Sequence, residues 1–242
     1  MIQTAVIFCA GHGTRLKPLT DDHPKPLIPL PGGCCLERII QGLLDHNIKK
    51  IVLNAHHLKE QITAYSKKYP EIHVVDEDDI LETGGGLINM LPLIDDDILL
   101  INGDIWTENM SKTLNDAIRY FQSLNLPNLL LQIPRDQALF YDKKGDFFQK
   151  NINDSITSAF QITRNLPPFE ETAPFVFGGI HLWRKKFILE NKPTETKFSM
   201  RHYFDKAQQH NALHGFVINQ KWCDIGTLAA YKGLYHYLEG NN

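Results

Sequence analysis

The sequence predicts an α/β fold in which a mixed, mainly parallel sheet is flanked by helices. Three observations predict it. Short apolar, β-branched runs recur at 4–9, 50–54, 72–76 and 98–102, segments of helical period separate them, and glycine-bearing loops follow where strands should end.

The first run, Thr4 to Cys9, has the length and composition of a strand buried on both faces. Leu36, Ile39, Ile40, Leu43 and Leu44 recur at helical spacing, and that helix runs into Asn47 just before a strand from Lys50 to Asn54. A helix from His57 to Tyr69, a strand from Ile72 to Asp76, a short helix after the glycines at 84–86 and a strand from Ile98 to Asn102 continue the alternation. Four strands joined by helices call for right-handed crossovers.

Beyond about residue 125 the rhythm changes. Leu129 to Ile133 and Phe175 to Leu182 read as strands, Ala138 to Gln149 as a hairpin turning at 142–145, and Phe198 to His210 and Thr227 to Leu238 as helices. The Pro-rich connection at 167–174 is too short for a domain linker. We therefore expect one domain over 1–242, with an α/β half at 1–125 and a smaller α+β elaboration at 126–242.

Composition bounds the function. With 242 residues, 43% hydrophobic, 22% charged and a formal charge of -3, the chain has no global basic field, so nucleic acid is not an expected partner. No apolar stretch approaches the ~20 residues that cross a bilayer, so a membrane is not expected either. Cys9, Cys34, Cys35 and Cys223 form no CxxC pair or regular spacing, which argues against a disulfide framework and for a reduced, cytoplasmic setting.

The chemistry concentrates in loops. Residues 9–27, CAGHGTRLKPLTDDHPKPL, begin where the first strand ends. Glycines there let bare backbone approach a ligand, while Arg15 and Lys25 supply positive charge, so the ligand is expected to be a polyanion. Lys25 lies between Pro24 and Pro26, which restrict the backbone. Asp104 follows the fourth strand by one glycine and should project at the same carboxyl edge of the sheet, where ligands of open α/β sheets bind. Asp224, in Lys221-Trp-Cys-Asp-Ile-Gly-Thr227, is a second isolated acid beside a glycine and a helix cap. Glu82-Thr-Gly-Gly-Gly86 reads as a third loop at this edge, since glycines cost roughly 1 kcal/mol each inside a helix. Trp106 and Trp222 read as packing residues. The eleven histidines form no metal-ligand spacing, and His12 stands apart as the one inside the basic loop.

Two nucleotide-binding signatures are absent. Gly11-His-Gly-Thr-Arg-Leu16 lacks the third glycine of a dinucleotide fingerprint and no acid closes the second strand, and no GxxxxGK segment followed by Ser or Thr occurs.

The stretch Phe8 to Thr20, continued by Pro24-Lys-Pro-Leu27, resembles the signature of sugar-1-phosphate nucleotidyltransferases, and Asn102-Gly-Asp104 and Trp222-Cys-Asp-Ile-Gly-Thr227 fall where that family has metal-binding acids. The resemblance spans nearly the whole chain. It implies a Rossmann-like, glycosyltransferase-A-like sheet, and a reaction in which a sugar 1-phosphate attacks the α-phosphorus of a nucleoside triphosphate and displaces pyrophosphate. Within the family, Glu82-Thr-Gly-Gly-Gly86 with Asn102-Gly-Asp-Ile-Trp106 is most similar to N-acetylmuramate α-1-phosphate uridylyltransferases of cell-wall recycling. The guanylyltransferase branch more often carries Gly-Thr-Gly-Gly or Gly-Thr-Ala-Gly there. A guanylyl- or thymidylyltransferase acting on mannose, heptose or glucose 1-phosphate is the alternative, and a non-catalytic nucleotide-sugar sensor the rival from another class.

By that resemblance Ala10, Gly11, His12, Gly13 and Thr14 cradle the triphosphate, Arg15 holds its β/γ end, and Lys25 sits by the α-phosphate. Arg15 and Lys25 are thus the catalytic residues. Thr83, Gly84 and Gly85, with Gly86 behind them, pass the nucleobase; Asn102 contacts the sugar phosphate; and Asp104 and Asp224 share Mg²⁺, the second acid coming from the sugar-binding half. Partners are the two small-molecule substrates, with a monomer or a homodimer both open. Three departures stand out. Cys9 replaces an alanine, Gly33-Cys-Cys35 replaces a Lys-Pro, and no Glu-Lys pair for the sugar phosphate occurs between Gly145 and Phe175, where Lys150 and Arg164 are the candidate substitutes.

Overall fold

The computed structural model describes residues 2–150, 159–165 and 171–240. Strand β1 (Thr4–Phe8) leads through the basic loop and a four-residue helix α1 (Leu19–Asp22) to helix α2 (Cys35–Asp45). Then come β2 (Lys50–Ala55), α3 (Lys59–Ser66), β3 (Ile72–Asp76), α4 (Glu82–Met90) and β4 (Ile98–Asn102). β2, β1 and β4 lie side by side and parallel, with Val6 between Val52 and Leu100, and β3 pairs parallel to β2 at the edge.

The second half adds β5 (Ile105–Thr107), α5 (Met110–Ser123), β6 (Asn128–Pro134), β7 (Phe148–Gln149), β8 (Phe160–Thr163) and β9 (Phe175–Trp183). It closes with α6 (Lys185–Glu190), α7 (Arg201–Gln209), β10 (His214–Val217), β11 (Trp222–Asp224) and α8 (Leu228–Glu239). The nine-stranded sheet runs β3-β2-β1-β4-β9-β6-β10-β8-β7, and β11 pairs with β5 in a separate two-stranded ribbon. β9 is antiparallel to both β4 and β6, whereas β10 is parallel to β6. The sheet is therefore mixed, with its four-stranded parallel part in the first half and one further parallel pair, β6 with β10, in the second.

Strand alternation divides the core into two layers. Ala5, Ile7, Leu53, Leu99 and Ile101 face α2 and α5 through Leu36, Ile40, Leu43 and Leu114. Val6, Val52, Ile98 and Leu100 face the other way, toward Leu87 and Met90 of α4 and Tyr203 and Phe204 of α7. A third cluster packs Trp106, Cys223, Ile225 and Leu234 beneath α8.

Helix ends follow local chemistry. Thr227 caps α8 by accepting from the Ala230 amide at 3.2 Å. α2 stops where Asn47 takes a left-handed φ of 55°, letting the Asn47 amide reach Leu44 O at 3.0 Å and the Ile48 amide reach Leu43 O at 3.2 Å.

The hairpin expected over 138–149 does not form. Ala138 bridges Trp222, Phe147 bridges Phe175, and Phe148–Gln149 pairs with β8, so each end of that segment finds a distant partner instead of its own other arm. The helices expected over 57–69 and 198–210 are confined to Lys59–Ser66 and Arg201–Gln209. The Pro-rich connection at 167–174 lies partly outside the described residues. All four cysteines are buried and free. Among the described residues no helix is long and apolar enough to cross a membrane.

Beneath this core His181 of β9 is 1% exposed among Phe177, Trp183 and Phe204. Its Nδ1 accepts from Trp183 Nε1 at 2.8 Å, which requires the neutral ring with its proton on Nε2. Burial depresses its pKa from 6.5 to about 3. The unfolded chain takes up this proton before the folded one does, so the contribution is complete above the ordinary imidazole value and is lost as pH falls toward 3, at up to ~1.4 kcal/mol per pH unit. Urea unfolding at pH 7 and pH 5 should show wild type losing about 2 kcal/mol more than His181→Gln over that interval; equal losses would refute the buried-neutral assignment.

Candidate functional site

The order of the strands reverses between the parallel neighbours β1 and β4. From β1 the crossover leads out to β2, whereas from β3 it returns across the sheet to β4, and the loops after β1 and β4 open into the crevice between. Gly103 keeps them close: its amide donates to Phe8 O at 3.1 Å, and a Cβ there would meet Phe8 O at 2.8 Å and Pro26 at 3.1 Å. A cavity of about 440 Å³ fills the crevice, lined by the basic loop on one side and by Asn54, Glu77 and the start of α4 on the other.

The floor is a buried polar chain. The Cys9 amide donates to Asn54 Oδ1 at 2.7 Å, Asn54 Nδ2 donates to Glu77 Oε1 at 2.7 Å, and Glu77 Oε2 accepts from the Leu81 amide at 3.1 Å. The ends of three parallel strands are thereby pinned at the base of the loop. Sequence reasoning passed over Asn54 and Glu77. The available signal was a polar residue ending each of two apolar runs.

Above this floor the basic loop is held open. Gly13 has φ 61°, and its carbonyl accepts from Thr20 Oγ1 at 3.0 Å. A Cβ on Gly11 would meet nothing within 4 Å. Among the described residues the amides of Gly11, His12 and Gly13 donate no hydrogen bond, so consecutive bare N–H groups are available to an anion. Ala10, Thr14 and Arg15 line the same cavity. Arg15 is exposed and forms no ion pair among the described residues.

Lys25 reaches across to the acids. Pro24 and Pro26 are buried on either side of it. Its Nζ donates to Asp104 Oδ2 and lies 3.7 Å from Asp224 Oδ1. The ribbon places Asp224 opposite Ile105, and the Ile225 amide donates to Asp104 O at 3.0 Å. Thus Asp104 and Asp224, remote in sequence, stand together at the crevice.

Their charges are interdependent. Burial alone would raise the Asp104 pKa, but the charge and hydrogen bond of Lys25 outweigh it and hold the carboxyl below the usual range. Asp224 is pushed up to about 6, first by burial and then by the charge of Asp104, against relief from Lys25, Lys143 and Arg15. Burial by itself would lower Lys25, yet the two carboxylates raise it. One ammonium is thus shared between two acids, and Asp224 Oδ1 is buried with no hydrogen-bond partner. Two carboxylates, one with an unused oxygen, suit a hard cation that takes its remaining ligands from water and substrate oxygens. Among the described residues no three His, Cys, Asp or Glu side chains converge on a metal position.

The triple glycine is not a loop. Gly84, Gly85 and Gly86 lie in the first turns of α4 and are buried. Their bare faces are occupied by protein: a Cβ would meet the Phe198 ring at 2.4 Å from Gly84, Thr196 O at 2.2 Å from Gly85, and Glu77 Oε1 at 2.8 Å from Gly86. The Gly84 and Gly85 amides donate to Phe198 O at 2.8 and 3.0 Å. Close packing of segment 196–198 therefore outweighs helix propensity, and neither Gly84 nor Gly85 lines the cavity. Thr83 and Glu82 do. Glu82 has φ 60°, a backbone conformation that costs a side-chain-bearing residue roughly 1–2 kcal/mol.

Asn102 lines the cavity beside Asp104. Trp106 and Trp222 are packing residues, 4% and 3% exposed. Lys150 and Arg164 are engaged elsewhere, with Asn211 and with Asp205 at 2.7 Å, so neither joins the crevice. Lys143, which the sequence reading overlooked, acts on Asp224 and lines a notch with Arg15 on its outer side.

Comparison with known proteins agrees with this geometry. The family model described as Nucleotidyl transferase matches residues 4–138. The bifunctional protein GlmU of Methanocaldococcus jannaschii is 40% identical over 226 residues, covering 92% of this chain and 51% of that protein. The chain thus spans about half the length of such relatives. N-acetylmuramate alpha-1-phosphate uridylyltransferase of Caulobacter vibrioides is 24% identical over 92% of this chain and 91% of its own. D-glycero-alpha-D-manno-heptose 1-phosphate guanylyltransferase of Campylobacter jejuni is 26% identical over 98% and 99%. Among solved structures, UDP-glucose pyrophosphorylase complexed with UDP-glucose superposes with a TM-score of 0.81 over all of both chains at 13% identity, a likeness of fold.

The glycine packing can be tested by contrast. Gly85→Ala should lower the unfolding free energy by about 1–3 kcal/mol despite alanine's better helix propensity, because Thr196 O must move. Gly11→Ala should stay within about 0.5 kcal/mol of wild type. Denaturant titration of both variants checks the pair.

Proposed function

Because the chain belongs to the nucleotidyl transferase family, we propose that it condenses a nucleoside triphosphate with a sugar 1-phosphate, giving a nucleotide-sugar and pyrophosphate. The observation that carries the reading is the single ammonium of Lys25 set between Asp104 and Asp224 at the mouth of the glycine loop.

The chemistry asks little of proton transfer. A phosphate monoester has a second pKa near ~6, so the attacking oxygen is largely ionised at neutral pH and no general base is required. What must be supplied is screening of two polyanions and neutralisation of the departing pyrophosphate. The amides of Ala10 to Gly13, with Thr14, would hold the triphosphate, Arg15 its β/γ end, and Lys25 the α-phosphate. Asn102 would donate to the acceptor phosphate. Asp104 and Asp224 would hold Mg²⁺, which supplies Lewis-acid charge on phosphate oxygens when bound. With a cation so held, Lys25 would be free to turn from Asp104 and face the phosphates. The base would lie at the Thr83 end of the cavity, away from the cations.

For the substrates we propose UTP and N-acetylmuramate α-1-phosphate, in cell-wall recycling. Glu82 supports this choice. It is glutamate at a left-handed position where, by the resemblance, the guanylyltransferase branch more often carries glycine, so its side chain is present at a cost in backbone energy. Guanylyl transfer to a heptose 1-phosphate is the second reading, favoured by the guanylyltransferase relative, which matches nearly end to end. The presence of Arg15, Lys25, Asp104 and Asp224 together argues against a sensor that has lost turnover.

A matrix of nucleoside triphosphates against sugar 1-phosphates, with Mg²⁺ and pyrophosphate release as readout, tests the proposal. Asp104→Ala and Lys25→Ala should each reduce kcat by about 10²-fold or more in the productive pair. Release by no pair would make the sensor the better reading, and wild-type rates in Asp104→Ala would remove the metal assignment.

A further inference from the structure

The basic loop carries a side chain that the proposed reaction leaves unused. His12 lines the cavity between Gly11 and Gly13, and its ring meets His56 and His57 edge-on, with centroids 5.3 and 5.6 Å apart. His56 and His57 follow β2, so the imidazoles come from two neighbouring strand ends. His57 Nε2 lies 2.7 Å from Thr20 O, and His56 Nδ1 lies 2.9 Å from Glu77 O. A carbonyl only accepts, so each of these nitrogens carries the proton and the opposite nitrogen is bare in the neutral ring. Among the described residues the His12 ring makes no hydrogen bond. It is exposed, beside the free amides of Gly11, His12 and Gly13.

An imidazole at an anion cradle, with two more packed behind it, has a specific consequence. A neutral imidazole offers one N–H and no charge, whereas the protonated ring offers two donors and a full positive charge. The charged groups lining the cavity with His12 are Arg15 and Lys25 on its own loop and Glu77, Glu82 and Asp104 across from it. A bound polyphosphate brings several negative charges to the loop, and negative charge beside an imidazole favours its protonated form.

We infer that His12, braced by His56 and His57, is a proton-linked contact to the polyphosphate: a proton drawn from solvent enters the imidazole cluster as the anion binds. This rests on the reading of the loop as a triphosphate cradle. It adds a side-chain contact, and a dependence of affinity on pH, that the backbone cradle alone does not supply.

Inorganic tripolyphosphate with Mg²⁺ is the probe, because it engages the loop without a nucleobase or sugar. Calorimetric titration of the full chain in two buffers of different ionisation enthalpy counts protons taken up on binding, for wild type, His12→Gln and His56→Gln, at pH 6 and pH 8. Wild type should take up more protons than His12→Gln, and its affinity should rise by about three- to tenfold more between pH 8 and pH 6. His56→Gln, which keeps His12 but removes one brace, should fall between. The tripolyphosphate's own protonation is common to all three and cancels. Identical proton counts and pH profiles in wild type and His12→Gln, with pyrophosphate release intact in wild type, overturn the imidazole contact and leave the proposed reaction standing. Failure of wild type both to bind tripolyphosphate and to release pyrophosphate overturns the two together.

Discussion

One ammonium holds the crevice together. Lys25 sits on the loop after β1, Asp104 at the end of β4 and Asp224 at the end of β11, and the lysine's charge, the largest of those relieving the pair, makes it tolerable for two carboxylates to face each other in a half-buried place. Without a cation between them, like charges at this distance would drive one acid to hold its proton. The prolines flanking Lys25 keep its backbone in place, and the β5–β11 ribbon keeps Asp224 from drifting. A site built this way is easily rearranged, because any added cation or polyanion redistributes a charge already shared.

Much of the first half was legible in the sequence. The apolar runs at 4–9, 50–54, 72–76 and 98–102 located β1 to β4 to within a residue, and the parallel arrangement followed from the helices between them. The placement of Arg15, Lys25 and Asp104 at one edge needed only that arrangement. Asp224 needed more, since the ribbon joining it to Asp104 is three residues long on each side and leaves no periodic trace.

Readings failed where distant contacts overruled local preference. Residues 138–149 have the turn chemistry of a hairpin, yet Ala138 and Phe147 are each taken by strands far along the chain. The glycines of α4 looked like a loop because propensity disfavours them in a helix. Their actual requirement, space for Phe198 and Thr196, is invisible until the fold brings that segment over them. The buried relay from Cys9 through Asn54 to Glu77 is likewise an outcome of strand register, which a single residue's identity does not reveal.

The seam between α4 and residues 196–200 ties the two halves of the chain at the Thr83 end of the crevice. Besides the glycine contacts, the Met200 amide donates to Thr83 Oγ1 at 3.0 Å and the Phe198 amide to Leu81 O at 3.1 Å. Such a join limits how the chain can diversify through evolution. A relative's second half cannot be exchanged freely for this one, because a bulkier residue at 84 or 85 and a differently shaped segment at 196–198 would have to arrive together. The two halves are therefore expected to be inherited as a unit, with novelty confined to loops away from the seam.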